Sequence, residues 1–264
     1  VLYRLLEGYM FLPKRLRVAM TGRQQEKHAA LLDEVKALRV ERNVVNSASG
    51  SKDDALSPPK LAGIDVRIGL LNERIRKYPA DVRQLGPTAL ANALRAIETY
   101  GWDRYRLDSQ TLWSEIQSVI PERLIDEHER SRAPVNFFVS LVYLSLSSGI
   151  TLIATGLYTA GGSMTMVTVG VALVATAPLW YRLAILNTRY LLATMQAAVN
   201  VSRVKLAESM GLVLPRALAD ERDMWARVYY FVHDPFDADY DQDLNSYRAG
   251  PESAEAPVSH ENQA

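Results

Sequence analysis

The residues best suited to acid–base or metal chemistry are four histidines, His28, His128, His233 and His260, and they are scattered along the chain. Glu127-His128-Glu129 has the composition of a metal cluster. Consecutive helical residues point around the axis, however, so the triplet reads as a solvated helix face and not as a ligand set. Asp237, Asp239, Asp241 and Asp243 alternate like part of a calcium loop, but the central Gly and terminal Glu of such a loop are missing. The chain has no cysteine, which excludes disulfides, thiolate nucleophiles and cysteine-ligated metals, and fits a reducing cytoplasm. Phosphate-loop, dinucleotide, zinc-protease and nucleophile-elbow patterns are also missing. The expectation is a non-enzymatic protein without cofactor or metal.

The chain offers instead a set of small and hydroxylic residues inside an apolar run. Ala133 to Tyr181 holds no Asp, Glu, Lys or Arg, in a chain that is 23% charged. Ser147, Thr151, Thr155 and Thr159 recur every four residues and so share one helix face. Ser145, Gly149 and Gly156 form a neighbouring face of small residues, and Thr168, Ala172 and Thr176 repeat the four-residue interval further on. Lipid supplies no hydrophobic drive between helices, so close backbone approach and hydroxyl bonds are what join them. Three uses fit these faces: packing within the chain, contact with a second copy or another membrane protein, and a hydroxyl-lined pore. No charged residue or histidine marks an ion or proton path, which argues against a pump or transporter.

Two membrane-crossing helices must carry these residues. They fall at 133–159 and 164–181, joined by the uncharged turn 160–163 (Ala160-Gly161-Gly162-Ser163). At 1.5 Å per residue, Val135–Tyr158 spans about 36 Å and Met164–Tyr181 about 27 Å, against about 30 Å of hydrocarbon. Beyond Arg182, residues 182–235 predict a stalk and short helices, with Ile185, Leu192, Val199 and Leu206 repeating every seven residues as in a coiled coil.

Residues 1–45 form a basic amphipathic segment, in which Gly8 and Pro13 divide the first twenty residues into two short helical pieces. These either lie among anionic headgroups or pack on a cytosolic domain. Gln24–Val45 predicts a helix with a narrow apolar stripe, suited to a partner helix in the chain or to an intermolecular coil. Residues 46–60, with Ser, Gly, Asp and Pro58-Pro59, read as a flexible linker. Residues 61–132 predict a compact cytosolic helical domain, with Ile64, Ile68, Leu71 and Ile75 on one stripe and Pro87 opening the next helix. Residues 236–264 read as a disordered acidic tail. No segment alternates with period two for long enough to make a sheet, so the fold class expected is all-α.

Charge orients the hairpin. Arg130 and Arg132 precede the first span, and Arg182 and Arg189 follow the second. The positive-inside rule then places both termini in the cytoplasm. Lys+Arg and Asp+Glu both number 30, so the overall balance gives no case for nucleic-acid binding. Val1-Leu-Tyr-Arg lacks the order of a cleavable signal peptide, and Val in place of an initiating Met suggests residues upstream.

Leu85-Gly-Pro-Thr-Ala-Leu-Ala-Asn-Ala-Leu-Arg-Ala-Ile-Glu-Thr-Tyr100, followed by Arg104-Tyr-Arg-Leu-Asp108 and Leu112-Trp113, resembles a pattern in uncharacterised bacterial membrane proteins. There a Gly-Asn-x-x-Arg-Ala-x-Glu core and a Tyr-Gly-x-Asp piece precede a transmembrane hairpin. Asn92, Arg95, Glu98, Tyr105 and Asp108 match, while Arg106 stands where Gly is expected. Leu5-Leu-Glu-Gly-Tyr9, Gly211-Leu-Val-Leu-Pro215, Glu221 and Trp225 also fit. The resemblance implies a two-pass protein of the bacterial inner membrane and no assigned activity. Asn92, Arg95 and Glu98 share a face by spacing, so an Arg95–Glu98 pair holding Asn92 is expected as structural glue, with a ligand contact as the alternative. The whole chain reads as a membrane-embedded anchoring or scaffold protein, oligomeric or bound to a membrane or cytosolic partner. The alternative is an oligomeric, channel-like membrane effector.

Overall fold

The computed structural model describes residues 6–8, 13–48, 57–158, 162–233 and 244–248. Among them the chain is all-α: eight α-helices, one short 3-10 turn and no strand. The helices are α1 (Lys14–Ala48), α2 (Ser57–Ile75), α3 (Ala89–Glu98), α4 (Tyr100–Tyr105), α5 (Trp113–Val119), α6 (Glu122–Tyr158), α7 (Met164–Ser209) and α8 (Leu218–His233).

Helix starts follow backbone chemistry. Pro13 offers its carbonyl to the Arg17 N–H at 2.9 Å, and its own missing N–H costs nothing outside the first turn. From there α1 runs unbroken to Ala48, so residues 14–20 belong to the same helix as Gln24–Val45 and are not a separate piece. Pro58 and Pro59 likewise sit in the first turn of α2, which narrows the expected 46–60 linker. Residues 49–56 of it lie outside the described residues. Thr88, one residue after Pro87, caps α3 by accepting the Ala91 N–H at 3.1 Å.

The chain forms two compact units, residues 1–97 with 128–193, and residues 98–127 with 194–264. The expected 61–132 domain is therefore divided between them, because its later helices find their apolar partners far along the chain and not in α2. In the first unit, α1 and α2 close on Val35, Leu38, Ile64 and Leu71, flanked by Leu31, Val45, Ile68 and Ile75. Exposed ion pairs Arg67–Glu34 (2.7 Å) and Arg42–Asp65 (2.8 Å) rim this contact, each contributing at most about 1 kcal/mol. The stripe on α1 is thus covered by α2 within the chain.

The second unit packs α4, α5, the end of α7 and α8 around Leu107, Ile116, Leu206, Met224 and Trp225. Gly211 (φ 71) ends α7 in the left-handed region, where a side chain would be strained. Residues 244–248, within the tail 236–264 expected to be disordered, pack on this unit, and the rest of that tail lies outside the described residues. Leu244 is buried in this core, and the Val213 N–H donates to the Tyr247 carbonyl at 2.7 Å. Leu244 and Tyr247 are the apolar residues that carry this contact. The alternating aspartates 237–243 lie outside the described residues.

The charge-free run occupies α6 and α7, of 37 and 46 residues. Pro134 and Pro178 lie inside these helices, which extend well past both ends of the apolar segment. Each is long and apolar enough to cross a membrane, and only 22% and 17% of their apolar windows are buried. Phe137, Leu144, Ile150, Leu157, Val169 and Val171 are all exposed.

Candidate functional site

The interface between α6 and α7 is built on glycine. A Cβ at Gly149 would stand 2.8 Å from the Gly170 carbonyl oxygen and 2.7 Å from Val174; a Cβ at Gly170 would stand 2.7 Å from the Gly149 carbonyl oxygen. Two turns on, a Cβ at Gly156 would meet Val167 at 2.9 Å and the Ser163 carbonyl oxygen at 3.0 Å. Absence of side chains lets the two backbones meet, and the contact is lost if either helix moves out. Ser145 is buried in the same face, its hydroxyl 3.4 Å from that of Thr176. Thr176 accepts the Trp180 indole N–H at 3.2 Å, and the Trp180 ring stacks on Phe138 at 6.2 Å.

Ser145, Gly149, Gly156 and Thr176 are thus brought together as the inner face of the hairpin. Ser147, Thr151 and Thr155 point outward and bond their hydroxyls to carbonyls of their own helix, those of Leu144, Ser147 and Thr151. Thr168 does the same to the Met164 carbonyl at 2.8 Å, and Ala172 is exposed beside it. Self-satisfaction lets a hydroxyl sit in an apolar medium without a partner helix. Thr159 lies outside the described residues. Gly170 is the residue that the sequence reading missed. The signal existed, since Gly170 is the small residue of the second apolar helix that lies two positions from both Thr168 and Ala172.

Asn92 has other partners than those expected. It is fully buried, its side-chain oxygen accepts the Gly86 N–H at 2.7 Å, and its amide donates to the Gly86 carbonyl at 3.3 Å. It closes the loop that enters α3, satisfying a buried backbone residue at both ends. The expected Arg95–Glu98 pair is not what holds it.

The seven-residue repeat also resolves differently. Val199 and Leu206 are fully buried in the core of the second unit, and Leu192 is buried in the first. Ile185 is half-buried. The seam is spent on packing within the chain, which leaves Val199 and Leu206 unable to serve an intermolecular coil.

No family model, curated protein or solved structure matches this chain. The likeness of residues 85–113 to two-pass membrane proteins therefore rests on its residues alone.

The second unit holds a polar cluster with no counterpart among the expected sites. Arg203 donates through one guanidinium nitrogen to both carboxylate oxygens of Glu221, at 2.7 Å to Oε1 and 2.5 Å to Oε2, and lies 4.8 Å over the Tyr105 ring. That hydrogen bond, with the electron-rich Tyr105 and Tyr100 beside it, holds the Arg203 pKa above its already high ordinary value, against the opposing effect of burial. Tyr105 and Tyr100 donate to the Asn200 side-chain oxygen at 2.9 and 3.1 Å. Arg222 donates to the Arg104 carbonyl at 2.9 Å. Together these bonds tie α4 to α7 and α8. Glu221 was legible as an inward residue, because it shares its face with Met224, Trp225 and Val228.

The described histidines remain apart. His28 is buried against the Tyr78 ring at 5.0 Å, and burial pushes its pKa down. Burial also lowers that of His128, with Arg132 adding to the shift and Glu129 opposing it. His233 places Nδ1 3.0 Å from the Tyr229 carbonyl oxygen. Among the described residues, no three His, Asp or Glu gather around one point.

Proposed function

We propose that the protein is a two-pass integral membrane protein of the bacterial inner membrane that anchors its cytosolic helical units for a protein partner, without catalysis. The carrying observation is the pairing of a glycine-locked inner face with an uncovered outer one. Gly149 and Gly170 hold α6 on α7, while most of the apolar surface of both helices has no protein against it. Burying a Leu-sized side chain is worth about 1.5–3 kcal/mol, so exposure of Phe137, Leu144, Ile150 and Leu157 to water would be costly. A bilayer removes that cost. Arg130, Arg132, Arg182 and Arg189 flank the spans on one side only, which supports cytoplasmic termini. The outward row Ser147, Thr151 and Thr155 leaves a strip of short side chains on which a helix of a partner membrane protein can pack.

The chain has no cysteine, so a single Ser163→Cys variant gives a clean topology probe. The expected result is retention in alkaline-washed membranes, with the thiol labelled by an impermeant reagent from the outside alone. Recovery in the soluble fraction overturns the membrane reading, and labelling only after the cytoplasmic side is opened overturns the orientation. Ion leakage from liposomes carrying the purified protein would replace the anchoring role with an effector.

A further inference from the structure

Two cavities of the first unit adjoin. One, of about 580 Å³, is apolar and runs beside the hairpin between Met20 and Gln24 of α1 and Val142, Leu146 and Val174 of the spans. The other, of about 420 Å³, is walled by Lys27, Arg74, Lys77 and Tyr78, with Ile185 beneath. Ala89 lines both. Gln24 of the apolar cavity and Tyr78 of the basic one are hydrogen bonded at 3.4 Å. Along α1, Gln24 and Lys27 stand one turn apart, as do Tyr181 and Ile185 along α7, so the walls of the two cavities are continuous. The result is one groove, apolar at one end and cationic at the other.

Its charge is not neutralised from within. Among the described residues, Lys27, Arg74 and Lys77 have no carboxylate partner. Glu34, the carboxylate on the basic cavity, is engaged by Arg67 at 2.7 Å. The dimensions suit one leaflet: eleven residues of α7 separate Val174 from Ile185, about 16 Å at 1.5 Å per residue, against about 15 Å for half the hydrocarbon layer. The cations also stand at the arginine-flanked end of the spans, where a cytoplasmic leaflet presents anionic headgroups.

We propose that this groove holds one anionic phospholipid, its acyl chain along Val142, Leu146 and Val174 and its phosphate on Lys27, Arg74 and Lys77. The inference rests on the membrane reading given above. A zwitterionic lipid offers the same chain and phosphate, but its ammonium group cancels the charge that three cations call for.

The test uses the full chain, purified in mild detergent and incubated with phosphatidylglycerol or phosphatidylcholine, with bound lipid counted by native mass spectrometry. The wild-type protein should retain the anionic lipid about tenfold or more over the zwitterionic one. K27Q/R74Q/K77Q should abolish that preference, K27R/K77R should keep it, and Leu146→Trp should lower retention of both lipids by filling the apolar end. Equal retention by the wild type, or an undiminished preference in the triple variant, overturns the proposal. Displacement of the lipid by millimolar inorganic phosphate also overturns it, in favour of a free-anion site. If the preference fails while the protein still needs detergent to leave the membrane, the lipid site falls and the anchoring role stands.

Discussion

Replacing Gly149 by Ala tests the hairpin at its closest point. The new methyl carbon would lie 2.7 Å from Val174 Cγ2 and 2.8 Å from the Gly170 carbonyl oxygen, where ordinary contact begins at 3.4 Å. The helices must therefore part by several tenths of an ångström, and a carbonyl fixed in its own helix cannot rotate aside. Overpacking of this kind costs about 1–3 kcal/mol, while Ala gains about 1 kcal/mol over Gly in helix propensity. A net loss of about 1 kcal/mol follows. Gly69 in α2 provides the control, because nothing lies within 4 Å of its Cβ position. There the same substitution should stabilise by about 0.5–1 kcal/mol. The two variants should thus move in opposite directions in equilibrium unfolding from mixed micelles, followed by far-ultraviolet circular dichroism. Gly149→Ala combined with Gly170→Ala should cost less than the two single losses together, since both push the same pair of backbones apart. If Gly149→Ala stabilises as much as Gly69→Ala, the glycine crossing is refuted.

Glu221→Ala should destabilise the second unit by about 2–3 kcal/mol in chemical denaturation, because Arg203 is left mostly enclosed without its anion; adding Arg203→Met should recover part of the loss, and no recovery would deny the pairing. His28 and His128 both sit below their ordinary pKa through burial, so their unfolded forms bind protons first as the pH falls. Stability from these groups is complete above about pH 6.5 and declines below it, by at most about 1.4 kcal/mol per pH unit for each imidazole. The doubly substituted H28F/H128L protein should show a flatter decline between about pH 6.5 and 5 in a melting series; an unchanged slope would assign it to carboxylates instead. Arg106 occupies the left-handed region (φ 64) with its guanidinium 5.3 Å over the Trp102 ring, so Arg106→Ala should be less stable than Arg106→Gly by about 1 kcal/mol. Equal melting points for the two would remove backbone strain from the account.

Long-period features were readable in the chain itself. The two long apolar helices, the Ile64–Ile75 stripe and the all-α class follow from hydrophobic periodicity and the absence of alternation. The position of Arg106 was visible as well: Gly is expected there, and the backbone turns out to require a positive φ. What escaped was pairing over distance. The repeat Ile185, Leu192, Val199 and Leu206 has the spacing of a coiled coil, yet spacing says only that a seam exists and not which surface fills it. Val199 and Leu206 share a core with Ile116, some eighty to ninety residues upstream, and with Trp225 beyond the turn that ends their helix. Asn92 was misassigned for a similar reason: side chains three residues apart on a helix are obvious partners, whereas a backbone six residues upstream is not. Ser147, Thr151 and Thr155 share one face by their spacing, but a hydroxyl that can bond its own carbonyl does not reveal whether that face looks in or out.

The second unit is assembled from two segments separated by the entire hairpin, Glu98–Glu127 and everything after Thr194. During synthesis the first segment leaves the ribosome about 67 residues before the second begins, a delay of roughly 3–13 s at 5–20 residues per second. Leu107, Leu112 and Ile116 have no core to enter in that interval, while the hairpin emerges between them and their partners. The two long apolar helices are therefore synthesised before this unit can be completed, and a chain stalled or truncated before α8 would be left displaying a sticky half-core, a substrate for quality-control proteases.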